Sequence, residues 1–317
     1  MGFGPAFDAA MDPTRSGVVL TFVLPARQCD LRCPACIIHQ RREAESHILS
    51  VSDYLFFIDE VTSATSVTRI NVQGYEPLLP EAWPYTESVM RLALAKGIPA
   101  GLVTNGTHLD QYVVSLAGLS PATLVVSLDA PTAAEHDKQR GVVGAFDRTL
   151  RGLLAAADHP QLASRLSVAS VLHPKKHAVL LGMPSLLSEI GISSWSVTPL
   201  IRAGNRSRPG GFVEPIGQLV DTMRHLAHSA WAHGVRLSVD DEFDLLSKHR
   251  SLGVGADRRS IARARNLLRL DPSGGLSVGR DLLRVVDEST PRWRPGVEGP
   301  ADFVRRAAPH LALSRAA

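Results

Sequence analysis

The sequence predicts an α/β fold, a partial (β/α)6 TIM-like barrel built from six strand–helix repeats with a parallel sheet, followed by a small α+β C-terminal extension. Three observations carry this. Short apolar runs rich in β-branched residues alternate with longer amphipathic segments from residue 17 to about residue 200. The first three runs are bounded by Gly, Pro or Asn, residues that stop strands. All three cysteines of the 317-residue chain fall in one loop directly after the first run, on the rim where a barrel of this kind gathers its chemistry.

Gly17–Pro25 (GVVLTFVLP) is the first strand, apolar throughout and bounded by Gly and Pro. Val51–Ser63 reads as an amphipathic helix opened by Ser50 or Ser52. Val67–Gln73 is the second strand, stopped by Gly74-Tyr75-Glu76-Pro77, and Pro84–Lys96 the helix after it. Ala100–Thr104 is the third strand, ending in the turn Thr104-Asn105-Gly106-Thr107. Thr123–Asp129 is the fourth, with His136-Asp137 and Arg140-Gly141 downstream. Helix Ala145–Ala157, strand Arg165–Leu172, helix His177–Gly191 and strand Ser194–Leu200 complete the repeats. Right-handed crossovers place all the strand-end loops on one rim.

Residues 1–16 form an N-terminal extension, residues 17–210 the core and residues 211–317 the extension. Gly204–Gly211 has linker composition, Glu214–Gly234 reads as a long helix, Val235–Val239 as a short strand and Leu267–Gly279 as a hairpin around Pro272-Ser273-Gly274-Gly275. The acidic run Asp240-Asp241-Glu242 either caps a following helix or meets a cationic group. The last thirty or so residues read as a loosely docked tail.

Hydrophobic content of 44% and charge of 21% suit a globular enzyme. A net charge of +3, with both signs interleaved, points to no dedicated nucleic-acid surface. No apolar run reaches the length of a membrane span. The first residues carry Asp8 and Asp12 instead of a basic start and an apolar run, so no signal peptide is expected, and a reduced, cytoplasmic location follows.

Cys29, Cys33 and Cys36 form a C-x3-C-x2-C loop. Three soft thiolates at this spacing can hold three irons of a cubane and leave the fourth without a protein ligand. Zinc would need a fourth ligand such as His39. An odd cysteine count in a chain of this size does not suit a disulfide framework. The spacing resembles the signature of the radical S-adenosylmethionine (radical SAM) superfamily, in the subgroup related to molybdenum-cofactor and peptide-modifying enzymes. The resemblance covers about residues 17–210.

What the resemblance implies is a [4Fe-4S] cluster on Cys29, Cys33 and Cys36, whose open iron chelates the methionine portion of SAM. Reductive cleavage there yields a 5′-deoxyadenosyl radical. The segment Gly74-Tyr75-Glu76-Pro77 is similar to the family's GGEP, which receives the SAM amino group, with Tyr75 in place of the second glycine. Thr104-Asn105-Gly106 resembles the third βα loop. Ser127-Leu128-Asp129, His136-Asp137 and Arg140-Gly141 resemble the fourth strand's polar end, which meets SAM ribose or carboxylate. SAM contacts are thus expected at Ala35, Gly74, Tyr75, Glu76, Asn105, Ser127, Asp129 and Arg140, although Ala35 stands where the family carries an aromatic. Each of these short pieces also has a plain reading as a turn, cap or ion pair.

With every thiol in one loop, no cysteine remains for an auxiliary cluster or for quenching a carbon radical. That leaves a redox-neutral rearrangement, elimination or decarboxylation, or an oxidation whose electron returns to the single cluster. Tyr75 is a candidate hydrogen donor against the commoner packing role. His39, His136 and His173 receive no catalytic step. The expected reductant is a flavodoxin or ferredoxin, and the expected substrate a small polar metabolite, such as a sugar or natural-product intermediate. Alternatives are a peptide-modifying enzyme, a radical methyltransferase, or a non-catalytic iron–sulfur or zinc protein on the same scaffold.

Overall fold

The computed structural model describes residues 18–23, 29–36, 48–173, 176–200, 215–239, 267–271, 273–278 and 292–303. The N-terminal extension, His39, the linker Gly204–Gly211, Pro272 and the run Asp240-Asp241-Glu242 lie outside the described residues.

The described strands are β1 (Val18–Val23), β2 (Val67–Gln73), β3 (Ala100–Thr104), β4 (Thr123–Ser127), β5 (Leu166–Leu172), β6 (Ser194–Pro199), β7 (Arg236–Val239), β8 (Leu267–Leu270) and β9 (Leu276–Val278). They form one sheet in the order β7-β6-β5-β4-β3-β2-β1-β8-β9. Every neighbouring pair is parallel except β8 and β9, the expected hairpin. Two strands expected in the extension therefore continue the core's sheet, β7 beside β6 and β8 beside β1.

The helices are α1 (Val51–Ala64), α2 (Trp83–Ala95), α3 (Leu109–Leu119), α4 (Ala133–Arg140), α5 (Ala145–Ala157), α6 (Pro160–Ala163), α7 (His177–Leu180), α8 (Met183–Glu189) and α9 (Ile216–Ala232). Ser50 starts α1 with a capping box: its Oγ accepts the Asp53 N–H at 3.2 Å, and Asp53 Oδ2 accepts the Ser50 N–H at 2.7 Å. The single helix expected over His177–Gly191 is two short ones. Pro184 lies in the first turn of α8, where it cannot continue a preceding helix. No described helix is long and apolar enough to cross a membrane.

Period-2 alternation divides each strand between two faces. Leu20, Phe22, Ile70, Val72, Leu102, Leu124, Val126, Val168, Trp195 and Val197 are fully or almost fully buried in the main hydrophobic core. The opposite positions carry Thr21, Arg69, Asn71, Gln73, Ser127, Ser196 and Thr198. At its lower end that face is closed by hydrogen bonds: Arg69 Nε donates to Asn71 Oδ1 at 2.8 Å, and its Nη2 donates to Thr123 Oγ1. Gly101 makes room for the arginine, since a Cβ there would lie 2.5 Å from Arg69 Nη2.

The expectation of a loosely docked C-terminal tail is corrected for residues 292–303. Trp293 and Phe303 are fully buried, and the Trp293 ring meets Phe57 of α1 with centroids 5.3 Å apart. Burial of two large aromatic rings offsets part of the chain entropy that docking this stretch costs.

Candidate active site

The cysteine loop follows β1, the Gly74 turn follows β2, the Asn105 turn follows β3 and Asp129 follows β4, so the parallel strands deliver all four to one rim. Cys29, Cys33 and Cys36 are free thiols, each half-buried, and the loop turns at its second half through a Cys36 N–H to Cys33 C=O bond of 3.1 Å.

Neighbouring loops aim donors at the sulfurs. The Leu31 N–H lies 3.4 Å from Cys29 Sγ and Asn105 Nδ2 lies 3.7 Å from it. The Arg140 guanidinium favours the charged form of Cys33 against the effect of burial. The Arg32 N–H donates to the Arg140 carbonyl at 2.9 Å, tying the loop to the end of α4. Gly141 is required there: its φ is +70°, and a Cβ would stand 2.2 Å from the Arg32 carbonyl oxygen. Burial pushes the Cys29 thiol up to about 12, against the lowering effect of the Leu31 N–H, and burial likewise raises Cys33. Without a metal these two sulfurs hold their protons, and metal binding would expel them.

Glu76 is fully buried, and its carboxylate is taken by its own chain. Oε1 accepts the Leu78 N–H at 2.9 Å and the Thr104 hydroxyl at 2.5 Å, and Oε2 accepts the Asn105 N–H at 2.6 Å. Burial outweighs these three donors and lifts the acid from 4.5 to about 7. Asn105 is similarly occupied: its Oδ1 accepts the Thr107 N–H at 2.9 Å, and its Nδ2 donates to Asp30 Oδ1 at 2.7 Å. Both residues join the strand-end turns to one another.

Gly74 and Tyr75 form a left-handed turn with φ of +87° and +42°. A Cβ on Gly74 would collide with Val23 Cγ1 at 2.4 Å, so only glycine lets this turn lie against the end of β1. Tyr75 holds a strained conformation for a non-glycine residue and packs against Leu79 and Ala82.

Asp129 and Arg140 pair at 2.9 Å, Asp129 buried and Arg140 mostly so. Asp129 Oδ1 also accepts the Val171 N–H at 2.9 Å, and its own N–H donates to His136 Nδ1 at 3.1 Å. Burial, helped by the nearby Arg140 charge, pushes the His136 pKa down to about 4 and holds the ring neutral. Arg140 Nε is buried with no hydrogen-bond partner among the described residues. Ser127 is half-buried at the end of β4, and Ala35 is half-buried in the cysteine loop.

The donor set suits a cubane better than a single ion. Among the described residues no three His, Cys, Asp or Glu side chains stand close enough to hold one metal ion. An iron–sulfur cubane does not ask for that, because each protein sulfur binds its own iron. The orphaned Arg140 Nε is the kind of buried donor that an anionic ligand group satisfies.

Residues 23–174 match the profile described as Radical SAM superfamily. The chain carries a radical SAM domain. An AdoMet-dependent heme synthase of Methanosarcina barkeri is 35% identical over 135 residues, 42% of this chain and 38% of the relative. A GTP 3′,8-cyclase of Rhizobium etli is 26% identical over 149 residues, 46% of this chain and 42% of the relative. The chain thus spans well under half the length of these curated relatives. SuiB of Streptococcus suis, solved with its precursor peptide SuiA and with S-adenosylmethionine, superimposes with TM-scores of 0.72 and 0.70 at 13% and 14% identity. The superpositions cover 95% of this chain and 67% and 68% of SuiB. The cofactors of the radical SAM family are a [4Fe-4S] cluster and SAM.

The sequence reading gives no site role to Asp30, Thr104 or Thr107, which tie the radical SAM domain's loops together. Asp30 adjoins a cysteine and Thr107 extends the TNG turn, but their pairing is a product of the fold.

Proposed function

We propose that this chain is a radical SAM enzyme with one [4Fe-4S] cluster on Cys29, Cys33 and Cys36, acting on a small polar substrate. The observation that carries the reading is the set of three free thiols on one loop, with N–H donors from Leu31 and Asn105 directed at Cys29 and the positive charge of Arg140 favouring the thiolate of Cys33. When bound and reduced, the cluster and SAM supply a 5′-deoxyadenosyl radical that removes a hydrogen atom from the substrate.

The chain's own residues bind, orient and enclose. Arg140, held in place by Asp129, offers its free Nε to the SAM carboxylate. The Gly74–Tyr75 backbone, Ala35 and Ser127 border the space beside it, while Glu76 and Asn105 shape that space by fixing the turns after β2 and β3. Gln73, Ser127, Ser196 and Thr198 on the sheet face opposite the main core carry uncharged hydroxyl and amide groups, which supports a sugar or a natural-product intermediate. An external flavodoxin or ferredoxin serves as reductant. Residues 17–210 are the catalytic core, and residues 211–317 an extension whose strands flank its sheet.

Anaerobic reconstitution with iron and sulfide, followed by dithionite and SAM, tests this. The expected result is about four irons per chain and release of 5′-deoxyadenosine. Bound zinc with no nucleoside formed would instead favour a non-catalytic metal protein.

A further inference from the structure

Asp30 stands between the cysteine loop and the turn after β3, and it bonds to both arms of that turn. Its Oδ1 accepts Asn105 Nδ2 at 2.7 Å and its Oδ2 accepts the Thr107 hydroxyl at 2.7 Å, partners 75 and 77 residues away in the chain. The Asn105 amide has only one orientation that satisfies its surroundings. The Thr107 N–H can only donate, so the oxygen of Asn105 must face it, as it does at 2.9 Å. The amino group then faces the cysteine loop, with Asp30 Oδ1 at 2.7 Å and Cys29 Sγ at 3.7 Å.

Together with the Leu31 N–H at 3.4 Å, this directs two N–H donors at one sulfur. A desolvated sulfur that must become a thiolate gains most from such donors. The far half of the loop has its own tether, the Arg32 N–H on the Arg140 carbonyl at 2.9 Å. The near half has Asp30, whose Oδ1 also lies 3.8 Å from Cys29 Sγ and whose Oδ2 is met by His108 Nε2 at 3.7 Å and Arg148 Nη2 at 3.9 Å.

We infer that Asp30 is a positioning residue for Cys29, holding the Asn105 amide so that its second N–H meets the sulfur and fixing this end of the loop against the β3 turn. The inference rests on the cluster-binding reading. It assigns Asn105 to the sulfur instead of to SAM.

The full chain is reconstituted anaerobically as wild type, Asp30→Ala, Asp30→Asn and Thr107→Val. Two readouts are taken without SAM: the rate at which iron passes to a ferrous chelator, and the EPR line shape of the reduced cluster. Loss of the hydrogen bonds from Asn105 and Thr107 predicts iron release at least about tenfold faster from Asp30→Ala, with an altered line shape. Asp30→Asn keeps an acceptor for Asn105 and lets the Thr107 hydroxyl turn to meet the new amide, so it is expected to restore wild-type rate and spectrum. A charge effect or general loosening would not be rescued that way. Wild-type behaviour of Asp30→Ala, or a defect in Asp30→Asn as large as in Asp30→Ala, would overturn the inference. If Asp30→Ala does not fold, Thr107→Val decides: intermediate iron release supports the tether and the wild-type rate refutes it. A wild-type chain that takes up no iron would overturn the cluster reading itself, a result separate from any difference among variants.

Discussion

Replacing Glu76 by Gln tests how the rim is held together. The acid is fully buried, and its folded pKa stands at about 7 against an ordinary 4.5. The sign follows from proton binding: between these values the folded chain holds a proton that the unfolded chain has released. Stability is therefore fullest below pH 4.5, falls as pH rises through the window and is flat above about 7. At about 1.4 kcal/mol per pKa unit, the loss between pH 5 and pH 8 is about 2–3 kcal/mol. Glutamine does not titrate, so this slope vanishes in the variant. It has a different cost: three donors converge on the two carboxylate oxygens, and the amide's NH2 must oppose one of them, for about 1–3 kcal/mol. Glu76→Gln is thus expected to be the less stable protein at pH 5 and to approach or overtake wild type by pH 8. Urea unfolding of the iron-free, reduced proteins at several pH values measures the gap, and shared titrations such as that of His136 cancel in the difference. A gap that stays constant across the range would refute the reasoning.

Arg140→Gln is expected to weaken SAM binding about ten- to hundredfold, the value of a charged hydrogen bond; equilibrium binding to the reconstituted protein, normalised to its iron content, measures it. Gly141→Ala places a methyl group 2.2 Å from the Arg32 carbonyl at a φ of +70°, so it is expected to cost about 1–3 kcal/mol and to lower iron uptake, checked by unfolding and iron analysis. Ser50→Ala removes the capping box of α1 and is expected to cost about 1 kcal/mol with no change in iron content, read by the same two assays.

Much of the scaffold is legible because its strands are apolar runs cut off by glycine and proline. Ala100–Thr104 and Ala145–Ala157 fall where pattern reading puts them. Helix α4 escapes that reading because its buried residues are His136 and Gln139, which apolar periodicity does not register. Helix α3 does carry a readable stripe in Leu109, Val113 and Leu116, between two motifs that draw attention as loops. The pairing of the strands that extend the sheet could not be read: β7 and β8 are four residues each, and nothing in so short a run names the strand beside it.

At the site, the cysteine spacing is a local pattern and visible at once. The roles of Glu76 and Asn105 depend on which groups the fold sets opposite them. A sequence motif shows that an acid follows Gly74 and Tyr75, but not that Thr104, Leu78 and Asn105 have taken up its oxygens. Trp293 is likewise a lone aromatic in a Pro- and Arg-rich stretch until α1 presents Phe57 to it.

The measurement closest to the centre of this account is EPR spectroscopy of the anaerobically reconstituted, reduced chain with and without SAM. A single cluster bound through Cys29, Cys33 and Cys36, with one iron open, predicts an iron–sulfur signal whose line shape changes when SAM is added. A signal indifferent to saturating SAM, or a protein that binds zinc and takes up no iron, would contradict it.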